Sequence, residues 1–196
     1  ESLEKWQAAG FIPDMEIEPG AKTDEPIRTR GWTYWHHLFN PRALLTQALK
    51  LKNGRSCIQY LRVARDADRL SKLCRFNANP QPSQGPKIEQ VFSDQAINPL
   101  LNYGTYSFIG LEDYFSKLNS RGNFRYNGKI SNHPARELPE GSQYDLFVTD
   151  PPYADAVNYH EITEFFIAWL RRNPPEEFRD WTWDSRRALA IKGSGD

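Results

Sequence analysis

A short, largely apolar run that ends at two consecutive prolines constrains the fold more than any other part of the chain. Tyr144 to Thr149 is apolar apart from Asp145, and Asp150-Pro151-Pro152-Tyr153 follows it directly. A strand with apolar residues on both faces is typical of the interior of a parallel sheet, where helices cover both faces. The run therefore predicts a buried parallel strand, and the prolines predict a stiff loop at its carboxyl end.

This loop combines hydrogen-bond acceptors with an aromatic face. Proline has no backbone donor, so Pro151 and Pro152 offer only carbonyl oxygens, and the Asp150 carboxylate adds another acceptor. Tyr153 supplies a flat ring on which a planar group can stack. In open α/β sheets, ligands bind beyond the carboxyl ends of the strands. We therefore interpret Asp150, Pro151, Pro152 and Tyr153 as a site that holds the exocyclic amino group of an extruded base.

These four residues resemble the catalytic motif of the amino-methylating DNA methyltransferases, which use S-adenosylmethionine. More narrowly, the chain resembles the prokaryotic adenine-specific DNA methylases that carry a DUF1156 domain. The segments that carry the likeness are Gly31–Arg42, Phe92–Ala96, Asp150–Glu161, Glu164–Phe166 and Trp169-Leu170. The resemblance implies an enzyme of restriction-modification or phage defence that binds DNA and methylates adenine. It also implies an α/β, partial Rossmann-like methyltransferase fold with a largely helical N-terminal part.

The sequence departs from that family at the cofactor site. Family members have a glycine-rich turn of the type Asp-Pro-Phe-x-Gly-x-Gly after the first strand, and this chain has none. Its nearest approach, Gly193-Ser194-Gly195, has no strand before it. We therefore expect a catalytic-side segment of a larger enzyme, whose main S-adenosylmethionine turn lies in the remaining part or in a complementary subunit. The segment alone is expected to be inactive and to bind the cofactor weakly or not at all.

Other substrates remain open at this point. Cytosine amino groups, RNA guanine and protein glutamine also present a planar NH2 group to such a motif. A second hypothesis from a different class is a non-catalytic nucleic-acid-binding module, in which the Asp-Pro-Pro-Tyr loop is structural.

A basic helix is the candidate for that binding role. The chain has a formal net charge of zero, yet twelve Lys or Arg and only four Asp or Glu fall between Lys22 and Arg75. A helix that begins at Ser56 places a basic row on one side at 100° per residue. This row consists of Arg62, Arg65, Arg69 and Lys72. It predicts contact with phosphates, and a solvated helix face is the alternative interpretation.

Composition argues against a membrane or metal protein. No apolar run approaches the roughly 20 residues that span a bilayer and no signal-peptide pattern is present, so we expect a cytoplasmic protein with no membrane contact. Cys57 and Cys74 have no partners at zinc-ligand spacing, and His160 and Glu161 diverge on a helix, so no metal site is expected.

The aromatic stretch from Trp32 to His37 either stacks on bases or packs in the core, and we favour the core.

Proline and glycine positions divide the chain into three parts. Residues 1–76 are expected to be helical and basic, with helices at 2–9, 41–52 and from Ser56, and with an irregular segment at 10–39. Residues 77–87 form a low-complexity loop and candidate hinge. Residues 88–196 form the α/β methyltransferase catalytic segment. Its other expected elements are a strand at 88–92, helices at 96–103, 107–118 and 158–172, and a hairpin arm at 123–129.

Overall fold

The computed structural model describes residues 3–54, 56–77, 87–92, 141, 143–149, 159–181 and 183. The helices in this part of the chain are Leu3–Ala8 (α1), Asp24–Arg30 (α2), Pro41–Asn53 (α3), Cys57–Leu70 (α4) and Tyr159–Leu170 (α5). It also contains 3-10 helices at Trp35–Leu38 and Glu176–Phe178, and two short strands, Phe76–Asn77 (β1) and Lys87–Ile88 (β2). None of the described helices is long and apolar enough to cross a bilayer.

Helices α3 and α4 begin where their capping residues predict. The Asn40 side chain accepts a hydrogen bond from the Ala43 N–H at 2.9 Å, and Pro41 occupies the first helical position. The Ser56 hydroxyl accepts from the Gln59 N–H at 3.2 Å. Both predicted helix starts are therefore confirmed.

Helix α2 corrects the expectation that residues 10–39 are irregular. Pro26 is the third residue of α2, within the first turn, where a backbone N–H has no acceptor inside the helix. Proline is tolerated there and does not break the helix. Gly31 ends α2 in the left-handed region, with φ +65°, and its N–H donates to the Ile27 carbonyl at 3.0 Å.

One hydrophobic core joins the described elements. Helix α4 contacts both α3 and α5. The largest buried side chains of this core include Trp35, Leu38, Phe39, Tyr60, Val63, Leu73, Ile88, Phe165 and Trp169. We expected the 158–172 helix to bury Tyr159, Ile162, Phe165, Phe166, Trp169 and Leu170. Phe165, Trp169 and Leu170 are buried, which confirms the prediction for them, whereas Ile162 and Phe166 are only partly buried.

The expected hinge is flanked by paired strands. Strands β1 and β2 are antiparallel, with Asn77 opposite Lys87 and Phe76 opposite Ile88. Residues 78–86 lie outside the described residues, as do the helices predicted at 96–103 and 107–118 and the hairpin arm at 123–129. Ile88 and Val91 belong to the same core as α4 and α5, so residues on both sides of the expected boundary pack together.

The prediction of a buried strand at Tyr144 to Thr149 is wrong for this structure. These residues belong to no strand, and Leu146 and Val148 are 77% and 87% exposed. A strand is stable only when its backbone groups are paired with a neighbour, and β1 with β2 is the only ladder in the described part of the chain. The Tyr144 and Phe147 rings contact each other at 5.6 Å.

Candidate functional site

The catalytic motif that the sequence predicts, Asp150 to Tyr153, lies outside the described residues. Helix α5 begins six residues after Tyr153. Covalent geometry alone therefore keeps Tyr153 within roughly 22 Å of Tyr159, and Asp150 within roughly 32 Å of it. The contacts of α5 show what the chain immediately after the motif is attached to.

A buried carboxylate fixes the first turn of α5. Glu161 is 7% exposed, and its two carboxylate oxygens accept backbone hydrogen bonds from Ala21 at 3.1 Å and Lys22 at 2.7 Å. Hydrogen bonds to an ionised acceptor are stronger than neutral ones. Gly20 allows this close approach, because a Cβ at that position would lie 2.6 Å from Glu161 Cδ. Glu161 therefore joins α5 to the segment that leads into α2.

Phe165 anchors the centre of α5. Its ring centroid lies 5.7 Å from those of Trp35 and Phe39 and 5.5 Å from that of Phe92. Trp169 packs edge-on against Phe39 at 5.1 Å. Three segments that carry the family resemblance, namely Gly31–Arg42, the start of Phe92–Ala96 and the stretch after the motif, therefore meet around one side chain.

The predicted basic row is divided between different tasks. The sequence predicted that Lys72 continues the helical row. Helix α4 ends at Leu70 and Ser71 is extended, so Lys72 lies outside the helix and is not part of that row. Arg69 donates to the Ile88 carbonyl at 2.7 Å and pairs with Asp68 at 3.2 Å, which ties α4 to β2. The carbonyl binding of Arg69 is a structural contact within the fold.

The positive charges of Arg62 and Arg65 lie close enough to the buried Asp66 carboxylate to influence its pKa. Asp66 is 1% exposed and pairs with Lys50 of α3. Burial raises the pKa of Asp66, and the positive charges of Lys50, Arg65 and Arg62 partly offset that rise. Two members of the predicted row therefore help to stabilise the ionised form of a core acid.

The aromatic stretch from Trp32 to His37 divides between core and surface. Trp35 is 1% exposed, which confirms the interpretation that it packs in the core. Tyr34 and His37 are partly exposed, and the Tyr34 hydroxyl donates to Glu16 at 2.9 Å. His37 Nδ1 accepts from the backbone N–H groups of Thr33 at 3.2 Å and Tyr34 at 3.3 Å. In the neutral imidazole this arrangement leaves the proton on Nε2.

Lys72 and the aromatic stretch come together at Trp32. The Lys72 ammonium lies 4.4 Å from the centroid of the Trp32 ring, and the Arg30 guanidinium lies 5.3 Å from it. Burial, followed by the positive charge of Lys72, lowers the pKa of His37. We call Arg30, Trp32, His37 and Lys72 the Trp32 surface.

No sequence pattern assigned Arg30 to a site. Its position next to Gly31-Trp32 was the available signal, because a cation two residues from a partly exposed indole can fold back onto the ring. The pairing of Trp32 with Lys72 joins residues 40 positions apart and has no local signature.

No group of three or more metal-binding side chains with ligand geometry occurs among the described residues. His160 Nε2 lies 3.8 Å from Glu161. Asp155, the third residue that could join them in a metal site, lies outside the described residues. No protein-family model, curated protein or solved structure matches the chain. The likeness to adenine methylases therefore depends on the sequence motifs quoted above.

Proposed function

We propose that this chain is the catalytic segment of an S-adenosylmethionine-dependent DNA methyltransferase that acts on the exocyclic amino group of adenine, in the cytoplasm of a prokaryote. The observation that carries the proposal is the Asp150-Pro151-Pro152-Tyr153 motif after an apolar run. The proposed fold remains α/β and Rossmann-like.

The residues of this chain act on the base. The amino nitrogen of adenine is a poor nucleophile, because its lone pair is delocalised into the ring. The Asp150 carboxylate and the Pro151 carbonyl accept the two amino hydrogens, which favours a pyramidal nitrogen with a localised lone pair. Tyr153 stacks on the extruded ring, and Pro152 keeps the loop rigid. Holding the base in one orientation supplies a large part of the acceleration.

The chain itself does not fit S-adenosylmethionine. A glycine-rich turn after a strand is the usual pocket for such a cofactor, and the sequence contains none. We therefore assign cofactor binding to the remaining part of the enzyme or to a complementary subunit, and assign only base binding to this segment.

Substitution of the motif carboxylate tests this role. In the complete enzyme, Asp150→Asn should lower the rate of methyl transfer to DNA at least about 100-fold, because the strongest acceptor for the amino group loses its charge. Asp180→Asn is the matched control, since Asp180 is exposed and lies after α5. Transfer of labelled methyl groups measures the rate. An Asp150→Asn enzyme that matches the Asp180→Asn enzyme would show that the assigned role is wrong.

The identity of the product tests the substrate. Mass spectrometry of digested DNA should find N6-methyladenine. Methylated cytosine or RNA guanine would support the other substrate classes that the motif leaves open.

The Trp32 surface favours a second candidate function, that of a non-catalytic nucleic-acid-binding module. That function is supported if DNA binding is intact and the complete enzyme transfers no methyl group to any nucleic acid.

A further inference from the structure

We infer that the Trp32 surface is a binding site for the phosphodiester backbone of DNA. The inference does not depend on methyl transfer, since it concerns a surface formed by α2, the 31–39 segment and the residues after α4. It replaces the helical row of the sequence prediction with a different set of residues, of which only Lys72 is shared.

Lys72 brings an unneutralised positive charge to this surface. Its backbone N–H donates to the Leu38 carbonyl at 2.7 Å, which fixes the position of the residue. Its ammonium contacts the Trp32 ring, and no carboxylate of the described residues lies within ion-pair distance of it. Partial burial lowers the pKa of Lys72, which is the effect of a cation that has left water without gaining an anion.

Arg30 is the second cation of the Trp32 surface. One terminal nitrogen, Nη2, donates to Glu25 at 3.2 Å, whereas Nη1 is buried and has no hydrogen-bond partner. Arg30 forms an ion pair with Glu25 at 3.2 Å, so the carboxylate offsets part of its positive charge. Arginine donors match the geometry of phosphate oxygens.

The spacing of these groups suits a nucleic-acid strand. Both cations lie on the Trp32 ring, at 4.4 and 5.3 Å from its centroid, so the two charges are at most about 10 Å apart. Phosphates repeat at about 3.4 Å of axial rise per strand, so this span covers no more than roughly three of them. His37 adds a neutral Nε2–H donor near Lys72, and the indole adds apolar area that both cations contact.

Charge complementarity selects DNA as the partner. The whole surface falls within the Lys22 to Arg75 stretch, where Lys and Arg outnumber Asp and Glu three to one although the chain is neutral. A polyanion presents several phosphates at once to the cations of the Trp32 surface, whereas a single phosphate ion gains only from those that it touches.

Binding of labelled duplex DNA to the 196-residue chain, followed by fluorescence anisotropy over a series of salt concentrations, tests the inference. Lys72→Gln and Arg30→Gln should each weaken binding roughly fivefold and reduce the slope of log K against log salt by about 1. Arg28→Gln is the matched control. Arg28 lies in the same helix as Arg30 and is exposed, so its removal should leave affinity and slope nearly unchanged.

Two results would overturn the inference. One is unchanged affinity and slope in both Lys72→Gln and Arg30→Gln. The other is an equal loss in Arg28→Gln, which would show that only net charge matters. Equal competition by a polyglutamate peptide of matched charge, or by inorganic phosphate at the same concentration, would exclude DNA as the specific partner.

A spectroscopic measurement on the unsubstituted chain covers the case in which a variant fails to fold. The charged and titratable groups around His37 are Lys72, His36 and Tyr34, with Glu16 bound to the Tyr34 hydroxyl. Saturating DNA should raise the pKa of His37 in an NMR titration, because phosphate charge counteracts that of Lys72. An unchanged His37 pKa on saturation would contradict the inference. The measurement needs no methyl donor, so its result is independent of whether the enzyme methylates DNA.

Discussion

The Glu161 carboxylate is the contact whose removal we expect to weaken the attachment of the first turn of α5 to the N-terminal part of the fold. Glu161→Ala leaves the N–H groups of Ala21 and Lys22 without the acceptor that they have at 3.1 and 2.7 Å. Hydrogen bonds to charged groups contribute about 1.5–3 kcal/mol each, and part of that is recovered here because water can reach the exposed backbone of Ala21 and Lys22. We therefore expect a loss of about 2–4 kcal/mol in the free energy of unfolding.

Gly20→Ala examines the same contact from the other side. The new Cβ would lie 2.6–2.8 Å from the atoms of the Glu161 carboxylate, so the carboxylate must move and its hydrogen bonds weaken. In a Glu161→Ala background the space is free, and Gly20→Ala should then cost less than about 0.5 kcal/mol. The two substitutions should therefore be strongly non-additive, as expected for residues in direct contact.

Urea unfolding of the 196-residue chain, followed by circular dichroism, measures both effects. Glu4→Ala is the control, because Glu4 also lies in the first turn of a helix but is exposed. It should change stability by no more than about 0.5 kcal/mol. The reasoning fails if Glu161→Ala is as stable as Glu4→Ala, or if Gly20→Ala costs the same in both backgrounds.

Two further predictions concern a buried acid and the exposed apolar run. Burial raises the pKa of Asp66 above its ordinary value of 3.8, so its contribution to stability is full below about pH 3.8 and is lost as pH rises through the folded-state pKa. Asp66→Asn should therefore remove this fall in stability over that window in urea titrations, and a parallel pH dependence in the two proteins would contradict it. In hydrogen–deuterium exchange, amides 144–149 should exchange rapidly, since these residues are exposed and belong to no strand. Slow exchange of these amides would contradict the exposed, unpaired arrangement.

Local signals were sufficient to predict α3 and α4. Asn40-Pro41 and Ser56 satisfy the first N–H groups of each helix from within a few residues, so their effect is independent of the rest of the fold. Pro26 misled the prediction for the opposite reason. A proline breaks a helix interior but not a first turn, and sequence alone did not show that Asp24 starts a helix.

Long-range contacts could not be predicted in this way. Glu161 finds its donors 139 and 140 residues away, and its burial depends on the absence of a side chain at Gly20. Lys72 reaches Trp32 only because Ser71 turns the chain out of α4. The run from Tyr144 to Thr149 is the clearest example. Its apolar pattern is typical of a strand, but the pattern does not show whether a neighbouring strand is present to pair with it.

The same long-range contacts connect the two proposed sites. Glu161 holds the N–H groups of Ala21 and Lys22, and α2 begins directly after them and ends at Arg30, a helix length of about 10 Å. The Trp32 surface is therefore attached through one short helix to the first turn of α5, which follows the proposed catalytic motif in sequence. Phosphate contacts set the position of a protein on DNA and do not themselves distinguish bases. A fixed link from such contacts to the start of α5 would suit the proposed base extrusion, because an extruded adenine must arrive at a fixed distance from the strand that holds it.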